Sequence, residues 1–312
     1  MKFVLFNDNC PGLLKGENVV DISEVVASVK GDNGQKTMEG IIENYDSLKG
    51  DLETCLSNNS GVPLTDVTLM PPLPRPDKIV AMGANYTENI DAPPLPIFAF
   101  YKSQDSIVGP GGTIVLPEIE TRIFHHEAEL VAVIGKTAKN VKEADAMDYI
   151  FGYTCGIDVS ARYPAVPRSL LGKSHDTFSP IGPCIVTKDE IADVDNLQIK
   201  FWVDGQPRHD FNTSDMGHKI PTCIEFMSSI TTMRPGDLLF TGTNHQGIGP
   251  LQDGENVVME IEGIGQLCLD VTDALKRSWP KEIDAEIGAR IRVMVKSGIP
   301  PGAPGAPGGP AD

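Results

Sequence analysis

The stretch FHHEAELVAVIG, from Phe124 to Gly135, places two carboxylates two residues apart inside an otherwise apolar run. If this stretch is a β-strand, Glu127 and Glu129 point to the same face, because side chains alternate along a strand. Two negative charges about 6–7 Å apart on one face repel each other. Water, basic side chains or a metal cation must offset that repulsion, so the pair is a candidate metal site.

A third carboxylate, Asp158 in GYTCGIDVSAR, follows the next predicted strand. Three carboxylates on neighbouring strands would form an all-oxygen site, which suits Mg²⁺, Mn²⁺ or Ca²⁺. The alternative is that these acids lie on an exposed strand face and are simply solvated. The acidity of the chain favours this alternative for any single acid, whereas the apolar flanks of the E-x-E pair favour the metal site.

Composition limits the classes of function. The chain has 312 residues, 40% of them hydrophobic, which is enough for one large domain or for a small domain and a larger one. The formal net charge of −17 argues against nucleic acid and anionic membranes as partners, since both are bound through basic surface. Six scattered cysteines, a start without an apolar leader and no run of about 18 apolar residues lead us to expect a soluble cytoplasmic protein.

The surrounding elements must bring the candidate residues together. Residues 1–70 are predicted to form a small N-terminal α/β domain, 71–77 a proline-rich linker and 78–280 the main domain. Many short strands joined by Gly- and Pro-rich loops predict an α+β, β-rich fold whose mixed sheet rolls into a barrel or sandwich-like body. Residues 297–312 are rich in Gly and Pro, and we expect them to be disordered.

Three helical regions are predicted. One follows the strand in GENVVDISEVVASV and is capped near Asp21 or Ser23. Residues 35–58 carry helical spacing, and IPTCIEFMSSITTM is a further helix candidate.

Five segments together resemble the fumarylacetoacetate hydrolase (FAH) family. They are, in chain order, HHEAELVAVIGKTAKNV, GYTCGIDVSAR, GKSHDTFSPIGPCIVT, MRPGDLLFTGTNHQGIG and VVMEIEGIGQL. The resemblance covers about residues 78 to 272, and the N-terminal segment is similar to the small leading domain of many members. It implies a mixed β-roll that holds one Mg²⁺, Mn²⁺ or Ca²⁺ by the E-x-E pair and a later aspartate. Here these ligands would be Glu127, Glu129 and Asp158.

The resemblance also implies a reaction class. Family substrates are small keto or enol acids, such as β-diketo acids, acylpyruvates and oxaloacetate. The metal would chelate the α-keto-carboxylate end and stabilise the developing enolate. Hydrolysis of a C–C bond is the first interpretation. Isomerisation or decarboxylation without an activated water, and a catalytically silent metal- and ligand-binding homologue, are the alternatives. The resemblance further implies a homodimer.

Other site residues follow from the matched motifs. Lys173, in GKSHDTF, matches the family lysine that reaches the substrate's oxyanion. Arg162 would hold a substrate carboxylate or pair with a nearby acid, and both interpretations stay open. Thr243 matches a threonine that contacts the bound carboxylate. Gly242 and Gly247 would let the backbone come close.

The chain departs from the family where hydrolytic members activate water. Those members usually carry G-x-N-Y-x-x-H, often followed by a glutamate, and the histidine–glutamate pair acts as a general base. The run here is GANYTEN, so Asn89 occupies the histidine position and Ala92 stands where the glutamate often lies. An amide cannot take a proton at neutral pH. The usual base is therefore missing at its usual place.

Two histidines are candidates to replace that base. The family's T-G-T-P is TGTN here and is followed by His245, whereas K-S-F-D is KSHD and contains His175. His245 follows the Thr243 turn and is the better candidate for a catalytic residue. His175 occupies a usually aromatic position, which is typical of a packed core histidine. A reaction that needs no activated water would require neither.

Overall fold

The structure is a computed structural model, and it describes residues 1–163 and 169–300. Ser297, where the predicted disordered tail begins, is the last residue of a helix that ends on Gly298 in the left-handed conformation. Residues 301–312 lie outside the described residues, so the disorder of the tail stays a prediction.

Strands predominate in the described chain. Those before residue 120 are β1 (Lys2–Phe6), β2 (Cys10–Lys15), β3 (Asn18–Asp21), β4 (Val62–Pro63), β5 (Leu69–Met70), β6 (Ile79–Met82), β7 (Ala99–Lys102), β8 (Ile107–Val108) and β9 (Thr113–Leu116). Those after residue 120 are β10 (Ile123–His125), β11 (Ala128–Ile134), β12 (Ile150–Ile157), β13 (Ser160–Arg162), β14 (Ser179–Thr187), β15 (Gln198–Val203), β16 (Gln206–Asn212), β17 (Leu238–Phe240), β18 (Asn256–Ile261) and β19 (Gly265–Asp273). The helices are α1 (Gly34–Glu43), α2 (Tyr45–Asn58), α3 (Ser169–Lys173), α4 (Ile220–Ile230) and α5 (Ala285–Ser297).

Two mixed sheets form the body of the protein. The larger has 12 strands, with the path β4-β3-β2-β1-β14-β12-β11-β17-β6-β7 and with β5 beside β1 and β8 beside β14. The smaller has five strands in the order β16-β15-β18-β19-β9. The larger sheet contains two parallel pairs, β17 with β6 and β14 with β8, and the smaller contains one, β19 with β9, among antiparallel neighbours. Both sheets end in edge strands, so the body is an open roll rather than a closed barrel.

The site depends on the two central strands of the larger sheet. Every residue of β11 and β12 is buried, which explains why AELVAVI is almost continuously apolar. Glu129 is the one charged residue in this apolar run and is buried with it. A buried acid costs free energy unless it is paired or binds a metal. These strands therefore hold one acid on a rigid support that cannot turn it toward solvent.

The N-terminal segment shares the larger sheet with the rest of the chain. β1 pairs antiparallel with β14, so the two parts are joined by a strand pair as well as by the proline-rich segment 71–77. The domain boundary at that segment stays a prediction.

The prediction of a helix after Asp21 is wrong, because residues 24–29 form turns. Helices do occur in the 35–58 region, as α1 and α2, and in IPTCIEFMSSITTM, as α4. Within the described residues, no helix has the length and apolar character needed to cross a membrane.

Candidate active site

The three predicted metal ligands lie at the ends of neighbouring strands. The E-x-E stretch is not one continuous strand, because β10 ends at His125 and β11 begins at Ala128. β10 pairs with β13 and β11 with β12, so Glu127 lies at the junction where the chain passes between two strand pairs. Asp158 follows β12, and its backbone N–H donates to Glu127 O at 2.9 Å. This bond brings the second motif against the first.

The carboxylates of Glu127, Glu129 and Asp158 converge. One oxygen from each lies within 4.8 Å of the other two. Their residues are only 5%, 1% and 1% exposed. The interpretation as solvated surface acids is therefore wrong, and the acids share one buried, all-oxygen site.

Three cations surround these carboxylates. Lys173 Nζ donates to Glu127 Oε2 and to Asp158 Oδ2, both at 2.6 Å. Lys102, at the end of β7, is fully buried, and its Nζ donates to Asp158 and, at 3.0 Å, to Phe178 O. Arg162 forms an ion pair with Glu127, which is the second of the two interpretations predicted for it. Each of the three cationic side chains thus contacts Glu127 or Asp158, and Lys173 contacts both.

Burial and charge act in opposite directions on the carboxyl groups. Burial alone would raise the pKa of Glu127, but the Lys173 and Arg162 cations outweigh it and hold that pKa well below its usual range. Burial, together with the negative charges of Asp158 and Glu127, raises the pKa of Glu129 well above its usual range. Glu129 is therefore the acid whose negative charge the protein's own cations do not balance.

A hard divalent cation fits this set of donors. The donors are carboxylate oxygens, which Mg²⁺, Mn²⁺ and Ca²⁺ prefer. The uncompensated charge at Glu129 faces the other two acids, so a cation among the three would relieve the repulsion that the sequence pattern indicates. Glu127, Glu129 and Asp158 would hold the ion.

The TGT turn after β17 lies directly against the carboxylates. Gly242 N donates to Glu129 Oε2 at 2.6 Å, and Gly242 adopts a φ of +88°. A Cβ there would meet Asn85 Cβ at 3.0 Å, so glycine allows the predicted close approach of the backbone. Thr243 is buried, and its Oγ1 lies 3.5 Å from Asn244 O. At Gly247 a Cβ would lie 2.5 Å from Arg208 O, again a close backbone approach.

His245, at the end of the same turn, pairs with a buried glutamate. Its Nδ1 lies 2.7 Å from Glu88 Oε1, and its backbone N–H donates to both oxygens of Glu88, at 3.1 and 3.0 Å. Glu88 is fully buried and His245 is 8% exposed. A carboxylate only accepts hydrogen bonds, so Nδ1 carries the hydrogen of this contact, and in the neutral imidazole the lone pair is then on Nε2. We call Glu88 and His245 the dyad.

Asp215 ties together the two loops that carry the dyad. Its Oδ1 accepts from Thr87 Oγ1 at 2.5 Å and from Asn89 N at 2.9 Å, and its Oδ2 accepts from Asn244 Nδ2 at 2.7 Å. Asn244 also caps the 3₁₀ turn His245–Gly247 by accepting from Gln246 N at 2.9 Å. Asn89 and Asn244, two of the departures from the family pattern, thus belong to one hydrogen-bonded framework.

The backbone of the Glu88 loop is strained. Ala84, Glu88 and Asn89 have φ values of +47°, +58° and +54°, in the left-handed region that non-glycine residues rarely adopt. Each such residue costs about 1–3 kcal/mol and persists only where its surroundings fix it, which is common at functional sites.

Comparison with known proteins identifies the family. Residues 78–272 match the family model described as "Fumarylacetoacetate (FAA) hydrolase C-terminal". The chain belongs to the fumarylacetoacetate hydrolase family. This confirms the predicted family, the predicted strand-rich mixed fold and the assignment to a family of enzymes.

Relatives of known name include a hydrolase and a tautomerase. The chain is 33% identical over 292 residues to a maleylpyruvate hydrolase of Aquipseudomonas alcaligenes, covering 87% of this chain and 99% of the relative. It is 36% identical over 272 residues to a mitochondrial oxaloacetate tautomerase of Xenopus laevis, covering 82% and 83%. The crystal structure of maleylpyruvate hydrolase from Sphingobium sp. SYK-6 with manganese(II) and pyruvate has a TM-score of 0.79 at 33% identity, covering 88% and 99%.

The other histidines of this FAH-family chain have packing partners. His175 stacks edge-on against Phe178, with ring centroids 5.1 Å apart, and its Nε2 lies 3.5 Å from Tyr163 Oη. His126 stacks on Phe201 at 4.3 Å, and its Nδ1 lies 3.1 Å from His209 Nε2. Burial lowers the pKa of His126 well below its usual range and that of His209 to about 4, so this pair is neutral at physiological pH. His126 and His209 are therefore core histidines, whereas His175 packs on Phe178 but is only partly buried.

Two charged residues of the site were missed by the sequence analysis. Glu88 directly precedes Asn89, and the acid within GANYTEN was the available signal once the usual histidine was absent. Lys102 ends the apolar run IFAFYK, where a lysine inside a predicted strand also indicated a charged partner. Both are fully or almost fully buried, which the sequence alone did not predict.

Proposed function

We propose that this protein is a divalent-metal-dependent hydrolase that cleaves a C–C bond in a small β-diketo or acylpyruvate-type acid. The observation that carries the proposal is the buried His245–Glu88 pair, a histidine oriented by a carboxylate, on the turn that also contacts metal-ligand candidate Glu129. It restores the general base that Asn89 cannot provide. The proposal is supported by the likeness to maleylpyruvate hydrolases.

Binding uses both the cation and the protein. A divalent cation held by Glu127, Glu129 and Asp158 would bind the α-keto acid end and stabilise negative charge on its oxygen. Lys173 would bring a second positive charge to that substrate oxygen. Its Nζ lies among the carboxylates that would hold the cation and contacts two of them at 2.6 Å. Thr243 and the backbone at Gly242 would contact the substrate carboxylate. Arg162, at the half-exposed edge of the site, would bind the other end of a diacid.

Proton transfer is assigned to the dyad. His245 Nε2 takes a proton from water, and the oxygen of that water forms a bond to the acyl carbonyl carbon. The C–C bond then breaks, and its electron pair passes to the pyruvate half as an enolate. The imidazolium returns its proton to the methylene carbon of that enolate, giving pyruvate and a carboxylic acid. Glu88 stabilises the imidazolium and keeps Nδ1 protonated throughout.

Tautomerisation of an enol or keto acid is the second candidate. The likeness to the oxaloacetate tautomerase of Xenopus laevis favours it. So does Asn89, because a tautomerase needs a proton shuttle and an electrophile but no activated water. The same His245 could move the proton in that reaction.

Metal, assembly and compartment are further parts of the proposal. We favour Mg²⁺ as the resident ion, with Mn²⁺ or Ca²⁺ as alternatives, and Mn²⁺ is supported by its presence in the Sphingobium relative. A homodimer is supported by Leu170 and Leu171 of α3, which are 70% and 50% exposed. A cytoplasmic location is supported by the six cysteines, all of which are free thiols.

Substrate tests decide between these candidates. We expect metal-loaded protein to release pyruvate from maleylpyruvate and other acylpyruvates, and chelation with subsequent addition of Mg²⁺ or Mn²⁺ to remove and restore that activity. Oxaloacetate enol–keto conversion and a dienol-acid isomer should be measured in parallel. Rapid tautomerisation without pyruvate release would replace hydrolysis by the second candidate. Ligand binding without any turnover would leave only a silent homologue.

Lys173 should matter more for turnover than for metal binding. Lys173→Ala is expected to lower kcat about 10²- to 10³-fold, the range for losing one stabilising donor at a developing oxyanion. Its ammonium contacts Glu127 and Asp158, so removing it takes a competing cation from the site and should not weaken Mn²⁺ binding. Calorimetric titration with Mn²⁺ measures the second quantity. Lys136→Ala, which changes an exposed lysine, is the control. Unchanged turnover in Lys173→Ala would show that this lysine is structural.

A further inference from the structure

Helix α5 lies beyond the part of the chain that matches the family model. It spans Ala285–Ser297, whereas the match ends at residue 272. Asp284 caps its N-terminus by accepting from Ile287 N at 3.1 Å, and Gly298 ends it in the left-handed conformation. Both ends are therefore defined by cap interactions, and α5 is a complete element rather than a continuation of β19.

One face of α5 covers the loop that carries Glu88. Ile291, Met294 and Val295 are buried in a small cluster with Leu95 of that loop. The cluster is extended by partly buried residues from both sides, namely Ile287 of α5 and Ala84, Ile90 and Ala92 of the loop. This apolar contact is separate from the two main core clusters, so α5 adds a cover of its own to the hold that Asp215 and the buried Tyr86 give the loop.

The first turn of α5 also contacts the turn that carries His245. Gln246 Nε2 donates to Gly288 O at 3.2 Å and to Glu88 Oε2 at 2.7 Å. A Cβ on Gly288 would lie 3.2 Å from His245 O and 3.4 Å from Gln246 Nε2. Asp284 N donates to Ile248 O at 2.8 Å. The helix backbone thus touches both halves of the dyad, directly or through one amide.

Asp284 connects α5 to the metal-ligand side of the site as well. Its Oδ2 lies 3.1 Å from His125 Nε2, a polar contact without good hydrogen-bond alignment. His125 Nδ1 accepts from Arg162 Nε at 3.1 Å, and Arg162 pairs with Glu127. The N-terminus of α5 therefore reaches Arg162, the partner of Glu127, through a single histidine.

We propose that α5 is a positioning element of the active site, which holds Glu88 and His245 in contact through Gln246 and Gly288. The dyad halves lie 157 residues apart in sequence and sit on two separate loops. One of these loops is in a left-handed conformation at Glu88 and Asn89, which it keeps only while its surroundings fix it. Without the contacts of α5, the Asp215 bonds alone do not hold Glu88 against His245, and the ring loses its fixed tautomer. This inference rests on the proposed function for its effect on turnover, but not for its effect on the dyad.

Gly288→Val tests the contact without removing the helix. Valine forms helix better than glycine, so α5 should remain folded while the added methyl groups push it away from His245 and Gln246. We expect kcat to fall about 10- to 100-fold, as for a misplaced catalytic group, with the Kd for Mn²⁺ unchanged. Ala289→Val is the matched control, because it adds methyl groups to the same helix at the exposed neighbouring position.

Ring ¹⁵N spectra of histidine-labelled protein give a readout that needs no turnover. The full chain has six histidines, and His245→Ala assigns the relevant signals. We expect His245 to show one fixed tautomer, protonated at Nδ1, in the full chain and in Ala289→Val. In Gly288→Val its signals should move to the averaged values of a freely exchanging imidazole.

A fixed Nδ1-protonated His245 in Gly288→Val, with full turnover, would overturn the proposal for α5. Absence of turnover in the full chain, with the tautomer still lost in Gly288→Val, would instead reject the proposed function and keep the role of α5.

Discussion

His245→Ala is expected to lower kcat for acylpyruvate hydrolysis by about 10²- to 10⁴-fold, the usual contribution of a positioned general base. His245 is held by Glu88 at 2.7 Å in a buried site, and the chain has Asn89 where the family's usual base stands. Turnover should be measured at saturating Mn²⁺ and substrate, so that weaker binding does not mimic slower chemistry. The Kd for Mn²⁺ should stay that of the wild type.

The two members of the dyad should not act additively. Glu88→Gln removes the negative charge that stabilises the imidazolium, and its amide can donate to Nδ1 and so favour the wrong tautomer. We expect its kcat to fall in the same range as that of His245→Ala. The double variant should be little worse than His245→Ala alone, because residues that act as a unit lose their effect together. Additive losses would place Glu88 and His245 in different steps.

The pH dependence distinguishes a base from a merely structural histidine. The wild-type rate should fall at low pH as the base becomes protonated, and this limb should disappear in His245→Ala. The ionisable groups whose charges act with His245 are Glu88, Glu127 and His209. His175→Asn, which alters the other histidine candidate, should keep both the limb and near wild-type turnover. The reverse result for these two variants would transfer the base to His175.

The metal-ligand candidates could be found from the sequence because their signal is local. Glu127 and Glu129 are two residues apart, and an acid inside an apolar run needs a partner wherever the strand lies. Asp158 could be added because it follows the strand that pairs with β11. The prediction that residues 124–135 form one continuous strand is wrong. The chain bends between His125 and Ala128, so that β10 pairs with β13 and β11 pairs with β12.

The dyad and its support could not be found in the same way. Glu88 and His245 meet through loop geometry, and neither propensity nor periodicity predicts which of the many acids in the chain a distant histidine will contact. Asp215 has the same character, because its three partners come from two loops that are far from it in sequence. Such contacts depend on positive φ values and on a covering helix, which are consequences of tertiary packing.

Glu129→Gln is expected to abolish metal-dependent turnover and to weaken Mn²⁺ binding at least about 100-fold, more than is typical for the loss of a group behind the ligands. The amide keeps the shape of the side chain and can still accept from Gly242 N, so the fold should be retained. What it loses is the negative charge, which is the charge that the protein's own cations leave unbalanced. Mn²⁺ titration and turnover measure the two effects separately.

Thermal unfolding with and without metal shows whether Glu129→Gln loses activity because it binds the ion less tightly or because its fold is less stable. At about 100 times its Kd, Mn²⁺ should stabilise the wild type by about 2.7 kcal/mol, whereas a site weakened about 100-fold would gain only about 0.4 kcal/mol. Without metal, Glu129→Gln should be at least as stable as the wild type, because burial and the neighbouring acids already disfavour a charged side chain at this position. Glu120→Gln, an exposed acid nearby in sequence, should behave as wild type in every assay. Equal stabilisation of Glu129→Gln and wild type by Mn²⁺ would remove Glu129 from the metal site.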